Sequence, residues 1–477
     1  VAMMKWMIFS PEIYYLLVGL WFLALSMLPH AESRRNYFSA LFLAAGGILV
    51  CLVTVKSEGV LFFNAYQVNL FSQVFKVLLS LGLFLVICLC PNLTAVKAKH
   101  HPEFYLLLFV CTLAMMMLVS SVHLLAIYVS LELSSYALYI LVALRRGKDM
   151  GIEAGIKYFL IGIFASAVML FGLALLYGTT QATYLNEMAK VLPGVIDKPA
   201  VVIGLLLTLG GFFFKLAVFP FHFWAPDVYQ GAANQVTAYI ATASKVAAMA
   251  LLIRMVALTG GAAAGNYLVH ILAALSIVSM TVGNLAAIVQ KDVKRLLAYS
   301  TIAHAGYVLI GILSMSTSGY SGVIFYALAL LVMKFTAFLV VVKLADDDRN
   351  LQIDQLAGLH QRSPLLAMAL MVSIFSLAGI PPTIGFTAKL FIFLAAMEQG
   401  YFTLVLIAMI NVVISLYYYL LIIKAAYLLK PKSAVSEIKL SPGARVLTIA
   451  LILVMVAVGI FPSYMFELAE AAARVIA

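Results

Sequence analysis

The chain has 477 residues, of which 65% are hydrophobic and only 10% are Asp, Glu, Lys or Arg, and its formal net charge is +11. A soluble domain is about half apolar and a quarter charged, so this composition excludes a soluble enzyme, a secreted disulfide scaffold and a disordered chain. The positive balance does not point to nucleic acid, because no basic face with interleaved aromatics occurs and the short cytoplasmic loops of a membrane protein collect Lys and Arg.

A helix that crosses a bilayer needs about 20 mostly apolar residues. In chain order, fourteen such segments fall near 12–29, 38–55, 71–90, 104–120, 122–144, 155–177, 200–220, 236–258, 267–289, 295–314, 322–344, 364–397, 402–424 and 444–461. The apolar runs are continuous, not alternating ten-residue strands, which predicts helices and excludes an outer-membrane barrel. The expected fold is an all-α polytopic membrane protein. Residues 1–103 hold the first three spans, 104–258 spans four to eight, 259–430 spans nine to thirteen, and 431–477 the last. The stretch Val1 to Ser10 enters the first span without a small-residue cleavage site and reads as uncleaved. Cys51, Cys88, Cys90 and Cys111 all lie in apolar runs and read as buried thiols.

The loops predict an orientation. Those after odd-numbered spans carry Arg34, Arg35, Lys97, Lys99, Arg145, Arg146, Lys148, Lys291, Lys294, Arg295 and further Lys and Arg out to Lys432 and Arg445. Those after even-numbered spans carry only Lys56, Lys190, Lys198 and Arg254. Positive charge collects on the cytoplasmic side, so both termini are expected outside.

Two spans are interrupted. The seventh reads GGFFFKLAVFPFHFWAPDVYQGA, with Pro220 and Pro226, and the twelfth reads SLAGIPPTIGFTAKLFIF, with Gly379, Pro381 and Pro382. Proline removes a backbone donor and clashes with the preceding turn. Non-helical backbone at membrane depth survives only where protein or a wet cavity surrounds it, and a matched pair of broken helices points to inverted repeats with a site near the midplane. Spans four to eight and nine to thirteen are the expected repeats.

Charges inside spans are expensive, and those retained usually pair or mark an ion path. Glu132 reads as the only acid deep inside a span. The bases are Lys157, four residues after Glu153; Lys215, just before the first break; Lys245 in span eight; Lys334 in span eleven; and Lys389, after the second break. Desolvation disfavours the ammonium form of lysine and a nearby carboxylate favours it, so such lysines are proton holders whose occupancy depends on their neighbours. Lys76, near the start of span three, reads as snorkelling to the interface. His222, between two prolines, is placed either to relay protons or to satisfy freed carbonyls, whereas His304 reads first as a satisfied core residue and second as a relay. His100, His101 and His360 read as loop residues. No paired-cysteine motif, haem ligand pair or dinucleotide loop occurs, so the chain is expected to hold no cofactor or metal and to carry no electrons.

The stretches AIYVSLELSSYALYILVALRR, EAGIKYFLIGIFASAVMLFGLALLYG, HFWAPDVYQGA with its upstream lysine, TASKVA, VKRLLAYSTIAHAGYVLIG and LAGIPPTIGFTAKLFIF resemble the antiporter-like membrane subunits of respiratory complex I, most closely the subunit N branch of NADH-quinone oxidoreductase. The resemblance implies a proton-translocating, non-redox subunit of a translocase, with no independent catalytic activity. It implies Glu132 with Lys157 or Lys215 as the coupling pair, Lys245 as the central relay and Lys389 as the terminal proton site. NADH or another donor, FMN, iron–sulfur clusters and quinone are then expected in partner subunits. The expected partners are neighbouring antiporter-like and small membrane subunits, in a bacterial-type inner membrane. Lys334 departs from the pattern: that branch has a small or amide residue there, and sister subunits with a lysine have a histidine four positions earlier, where this chain has Leu330. The alternatives are a secondary cation/proton antiporter and a membrane-bound hydrogenase-type complex.

Overall fold

The computed structural model describes residues 7–28, 33–146, 149–196, 198–259, 265–345, 347–431 and 437–476. Residues 1–6, Lys148 and Lys432, on which part of the readings above falls, lie outside the described residues. The main helices are α1 (Ser10–Ser26), α2 (Ser33–Val53), α3 (Leu70–Cys88), α4 (His101–Ser120), α5 (Leu124–Ala143), α6 (Asp149–Thr180), α7 (Pro199–Leu216), α8 (Trp224–Gly231), α9 (Asn234–Ala241), α10 (Ala243–Ala257), α11 (Gly265–Ile288), α12 (Val293–Leu313), α13 (Thr317–Leu344), α14 (Pro364–Ala378), α15 (Ile384–Glu398), α16 (Phe402–Leu428), α17 (Pro442–Ile460) and α18 (Ser463–Arg474). Their starts follow local chemistry. Proline occupies the first turn of α1, α4, α7, α14 and α17, where its missing N–H costs nothing. Asn69, Asp292, Ser316 and Ser441 accept from backbone N–H groups of α3, α12, α13 and α17, each cap contributing about 1 kcal/mol.

Among the described residues twelve helices are long and apolar enough to cross a membrane, counting α9 and α10 as one. With α1 and the broken α14–α15 pair they account for every segment read from the sequence. The protein is an integral, multi-pass membrane protein. The sequence did not signal the short hairpin Gly59–Leu61 with Tyr66–Val68, the terminal helix α18, or the discontinuity at Thr242 between α9 and α10. At Thr242 no proline or glycine marks the break; its hydroxyl donates to the Ala238 carbonyl at 2.6 Å, a local bond that competes with the helix ladder.

Burial is uneven. The α9–α10 pair, α12 and α13 are almost wholly enclosed, whereas α2, α16 and α17 are mostly exposed on apolar faces. The enclosed helices are those that carry Lys245, His304 and Lys334, so the fold places its ionisable groups along its axis. Loops after odd-numbered spans meet on one face, where Arg146 N–H donates to the Ala95 carbonyl, Arg145 pairs with Asp348, and Ile438 N–H donates to the Arg362 carbonyl. Loops after even-numbered spans meet on the other, through bridges Tyr66 to Ser121 and His123 to Tyr184.

Four residues here differ from their sequence reading, among them Cys88, which is only partly buried. Lys76 does not snorkel: it is fully buried, with Nζ 2.8 Å from Glu12 Oε1. The span start that made an exit to water plausible is roofed by the hairpin. Lys294 is not a solvated loop charge but donates at 2.8 Å to the Ala232 carbonyl at the end of α8. His101 opens α4 and is buried, its Nε2 3.1 Å from the Leu93 carbonyl.

This parity is testable. Glu58→Cys and Lys190→Cys should react with a membrane-impermeant maleimide from one side of sealed vesicles, and Lys97→Cys and Arg349→Cys from the other; all four native positions are exposed.

Candidate functional site

The first break begins where α7 ends. Ala217 adopts a left-handed conformation, φ 64°, and the chain closes a Schellman motif: Val218 N–H donates to the Phe213 carbonyl at 2.9 Å and Ala217 N–H to the Phe214 carbonyl at 3.1 Å. Two later carbonyls lose their helical donors. Pro220 has no N–H for Leu216, and Phe219 N–H turns instead to Ser279 Oγ at 3.0 Å, which frees Lys215 O. Lys245 Nζ takes that carbonyl at 2.7 Å and lies 4.8 Å from the Trp224 ring centroid. Trp224 Nε1 is itself fixed on the Phe214 carbonyl at 3.0 Å. The Lys215 side chain points to α5, donating to Ser134 Oγ and to Ser135 Oγ, the latter at 3.2 Å.

The second break uses the same motif. Gly379 is left-handed, φ 85°; Ile380 N–H donates to the Phe375 carbonyl at 2.9 Å and Gly379 N–H to the Ser376 carbonyl at 3.1 Å. Pro381 and Pro382 are the residues whose N–H groups a continuous helix would send to Leu377 and Ala378. Lys389 Nζ supplies both, at 2.9 Å each, and lies 5.0 Å from the Tyr307 ring centroid. Both breaks are therefore real, and each has a lysine amine on its freed carbonyls. The counterpart of Lys389 in that role is Lys245, not Lys215, because Lys215 precedes its left-handed residue whereas Lys389 follows Gly379.

Lys334 occupies the ground between them. It is fully buried, donates to Leu297 O at 3.0 Å and to Ser300 Oγ at 2.6 Å, and lies within electrostatic range of both Lys245 and Lys389. Ser300 Oγ continues to Tyr419 OH at 2.6 Å, Tyr419 OH to His304 Nε2 at 3.2 Å, and His304 Nδ1 to Tyr326 OH at 2.5 Å. His304 is thus a bonded member of a polar chain, more than a core filler. His222 is buried beside Phe219 and Phe223, and among the described residues its Nδ1 has no hydrogen-bond partner.

The expected coupling pair resolves differently. Glu132 is only 8% exposed and accepts from Ser166 Oγ of α6. Lys157 lies nine residues earlier on α6, about 13 Å along its axis. Its side chain is 44% exposed and pairs with Glu153 at 2.7 Å and Asp227 at 2.9 Å. Glu132 therefore forms no ion pair with Lys157, and it is Lys215, held by the Ser134 and Ser135 hydroxyls, that lies within its electrostatic range.

Lys157 instead joins a network on the odd-loop face that the sequence reading missed. Asp227 Oδ1 takes Arg295 at 2.7 Å, Arg145 pairs with Asp348 at 2.7 Å and donates to the Gln230 and Gly231 carbonyls, and Asp348 Oδ1 accepts the first N–H of α9 at 2.8 Å. A cavity of about 220 Å³ lined by Glu153, Lys157, Asp227 and Arg295 opens there. The signal present was Asp227, directly after Pro226 in the HFWAPDVYQGA motif; Arg145 and Arg295 read only as loop charges. Among the described residues no group of three or more His, Cys, Asp or Glu is close enough to hold a metal ion.

A family model described as NADH:quinone oxidoreductase/Mrp antiporter, transmembrane, matches residues 121–415. A curated protein named NADH-quinone oxidoreductase subunit N 2 from Syntrophobacter fumaroxidans is 64% identical over 99% of both chains. The chain belongs to this antiporter-like family. Within it, a chain of respiratory complex I from Thermus thermophilus, solved with bound aureothin, is 33% identical with a TM-score of 0.84 over 96% of this chain and 99% of that one. A chain of the Mrp complex from Dietzia sp. has a TM-score of 0.87 over 100% and 98% of the two chains at 21% identity, a likeness of fold alone.

In this antiporter-like chain the second break depends on one glycine. A Cβ on Gly379 would meet Lys389 Cδ at 3.0 Å and Nζ at 3.2 Å, and a left-handed non-glycine residue costs roughly 1–2 kcal/mol. Gly379→Ala should lower the thermal midpoint of the solubilised assembly accordingly, and Lys389→Met, which leaves two carbonyls unpaired, should lower it more.

Proposed function

We propose that this chain is the proton-translocating membrane subunit of a redox-driven NADH:quinone oxidoreductase type assembly. It passes protons along buried Glu and Lys groups and holds no redox centre. The observation that supports this most is the file Lys215, Lys245, Lys334 and Lys389, in which successive amines feel one another electrostatically and each is held by a carbonyl or hydroxyl. Like charges in a medium of low dielectric repel, so charging one amine opposes charging the next. Occupancy thus propagates along the file, and a change of charge at one end is felt at the other as a coupling free energy.

Roles follow from position. Glu132 is the acid that biases Lys215, which the Ser134 and Ser135 hydroxyls hold. Lys245 is the central relay, Lys334 the bridge and Lys389 the terminal site, with His304, Tyr326, Tyr419 and Ser300 as a side chain of hydroxyl and imidazole groups able to hand a proton on. Lys157, with Asp227 and Arg295, faces water at the odd-loop cavity and is a point of exchange rather than an internal station; His222 has a free ring nitrogen beside the first break. The matching Schellman breaks support residues 104–258 and 259–430 as inverted repeats. The odd-loop face is cytoplasmic on its charge and both termini lie outside a bacterial-type inner membrane. Neighbouring antiporter-like and small membrane subunits are the partners, and the donor, FMN, iron–sulfur clusters and quinone belong to other chains. A secondary antiporter would share the fold; sodium-dependent transport with no coupling to electron flow would favour it.

Two outcomes test the reading. In assembled complex, Glu132→Ala should strongly lower protons pumped per electron while Glu132→Asp retains part of it; a wild-type ratio in the alanine variant removes Glu132 from the route. Lys334→Met keeps much of the apolar stem but deletes the donor to Leu297 and Ser300, so pumping should fall while yield of the complex holds. Intact pumping with reduced yield would make Lys334 a packing group.

A further inference from the structure

Outside the file, the molecule buries a second acid and base. Glu12 opens α1 and Lys76 lies in α3; they are 1% and 0% exposed, and their charged atoms are 2.8 Å apart. Tyr66 OH donates to Glu12 Oε1 at 2.7 Å, and the Lys76 amine lies 5.4 Å from the Tyr66 ring centroid. Glu12 Oε2 is buried and has no hydrogen-bond partner among the described residues. Replacing a buried ion pair by apolar residues is often neutral or stabilising, so packing alone gives little reason for a pair here.

The pair is the outer rung of a ladder. Residues three and four apart share a helix face, so Tyr15 follows Glu12 on α1 and Ser80 follows Lys76 on α3. Tyr15 OH and Ser80 Oγ meet at 2.6 Å, both buried. Farther in, α3 presses on the α9–α10 break, where a Cβ on Gly82 would stand 3.0 Å from that of Ala243. There Tyr239 OH meets Thr112 Oγ1 at 2.6 Å and lies within electrostatic range of Tyr15. Cys111, next to Thr112, donates to the carbonyl of Ser134, whose hydroxyl holds Lys215. On the outward side, a cavity of about 480 Å³ on the even-loop face is lined by Asn64, Gln67, Asn69 and the buried Arg254. Arg254 lies over the Phe71 ring and within electrostatic range of Tyr66, and its Nε has no hydrogen-bond partner among the described residues.

We propose that Glu12, Lys76 and Tyr66 form a protonatable station that connects the even-loop cavity to Lys215 through the Tyr15–Ser80 and Tyr239–Thr112 hydroxyl pairs. The ligand is the proton itself, delivered by water. A proton that reaches the pair from the cavity side is taken up at Glu12 Oε2, forming an O–H bond and a neutral carboxyl, and the hydronium that supplied it is left as water. Onward transfer returns the carboxylate: each hydroxyl oxygen accepts one proton and releases its own, and no electrons move.

The inference rests on the proton-translocating reading, so Lys245→Met is the control. The double variant Glu12→Gln with Lys76→Met removes both charges together and leaves neither unpaired. In the assembled complex its protons pumped per electron should fall by a loss comparable to that of Lys245→Met, and Tyr66→Phe, which keeps the ring and the ion pair, should fall in the same direction. If the single variants disturb assembly and the double variant restores a wild-type ratio, the pair is only a structural lock and the proposal is overturned. Should the double variant fail to assemble, a wild-type ratio in Tyr66→Phe overturns it equally. A loss in Lys245→Met alone defeats the ladder and spares the file; no loss in any of them defeats both.

Discussion

A backbone carbonyl without a donor, enclosed in an apolar medium, costs several kcal/mol, and this constraint organises the site. Prolines at 220, 381 and 382 delete donors that helical geometry would provide, and the chain cannot recruit bulk water to replace them. Lysine amines take the Leu377 and Ala378 carbonyls instead, and at the first break the Lys215 carbonyl that Phe219 N–H leaves free. Lys245 on the Lys215 carbonyl and Lys389 on the Leu377 and Ala378 carbonyls stabilise the negative ends of the interrupted helices, where a cation is also favoured by the helix dipole. Each amine is thereby fixed at membrane depth by the defect it repairs, which is how a costly group comes to be held where a proton carrier is needed.

The same rule extends beyond the two breaks. Lys294 on the Ala232 carbonyl and Arg145 on the Gln230 and Gly231 carbonyls close the end of α8, and Arg254 takes the Val119 carbonyl near the end of α4. Cations at helix C-termini recur because α7 to α10 are short pieces, and every added end leaves carbonyls to satisfy. The segment between Pro199 and Ala257 is therefore repeatedly interrupted, and it buries Lys215, Lys245 and Arg254. Its enclosure within the fold keeps water from competing for those carbonyls.

The spans were legible in the sequence because bilayer thickness sets a length and an apolar composition that few other folds share. The two proline breaks were legible for a local reason, since proline acts on its own turn. What was not legible depended on partners distant in the chain. Glu12 and Lys76 look like interfacial charges at two span starts until the hairpin Gly59–Val68 covers them, and Lys157 looks like a buried base until Asp227, seventy residues on, draws it to the odd-loop cavity. Thr242 lacked any breaker residue. His304 reads first as a core residue because Tyr326 and Tyr419, its two hydroxyl partners, come from other helices. Sequence spacing gives periodicity along one helix; it gives nothing about which helices become neighbours.

Donor number explains how one group serves both structure and transport. An ammonium has three N–H bonds and a neutral amine has two. Lys389 spends two donors on Leu377 and Ala378, with Tyr307 offering only its ring face nearby; Lys334 spends two on Leu297 and Ser300; Lys245 spends one on Lys215. None of these uses all three. A proton can leave any of them and the remaining N–H bonds still satisfy the Lys215, Leu297, Leu377 and Ala378 carbonyls and the Ser300 hydroxyl. The scaffold therefore does not depend on the charge state of the amine, only on its presence. That separates the role of the lysine as a helix repair from its role as a proton holder, and it lets occupancy change along the file without unravelling the breaks that position it.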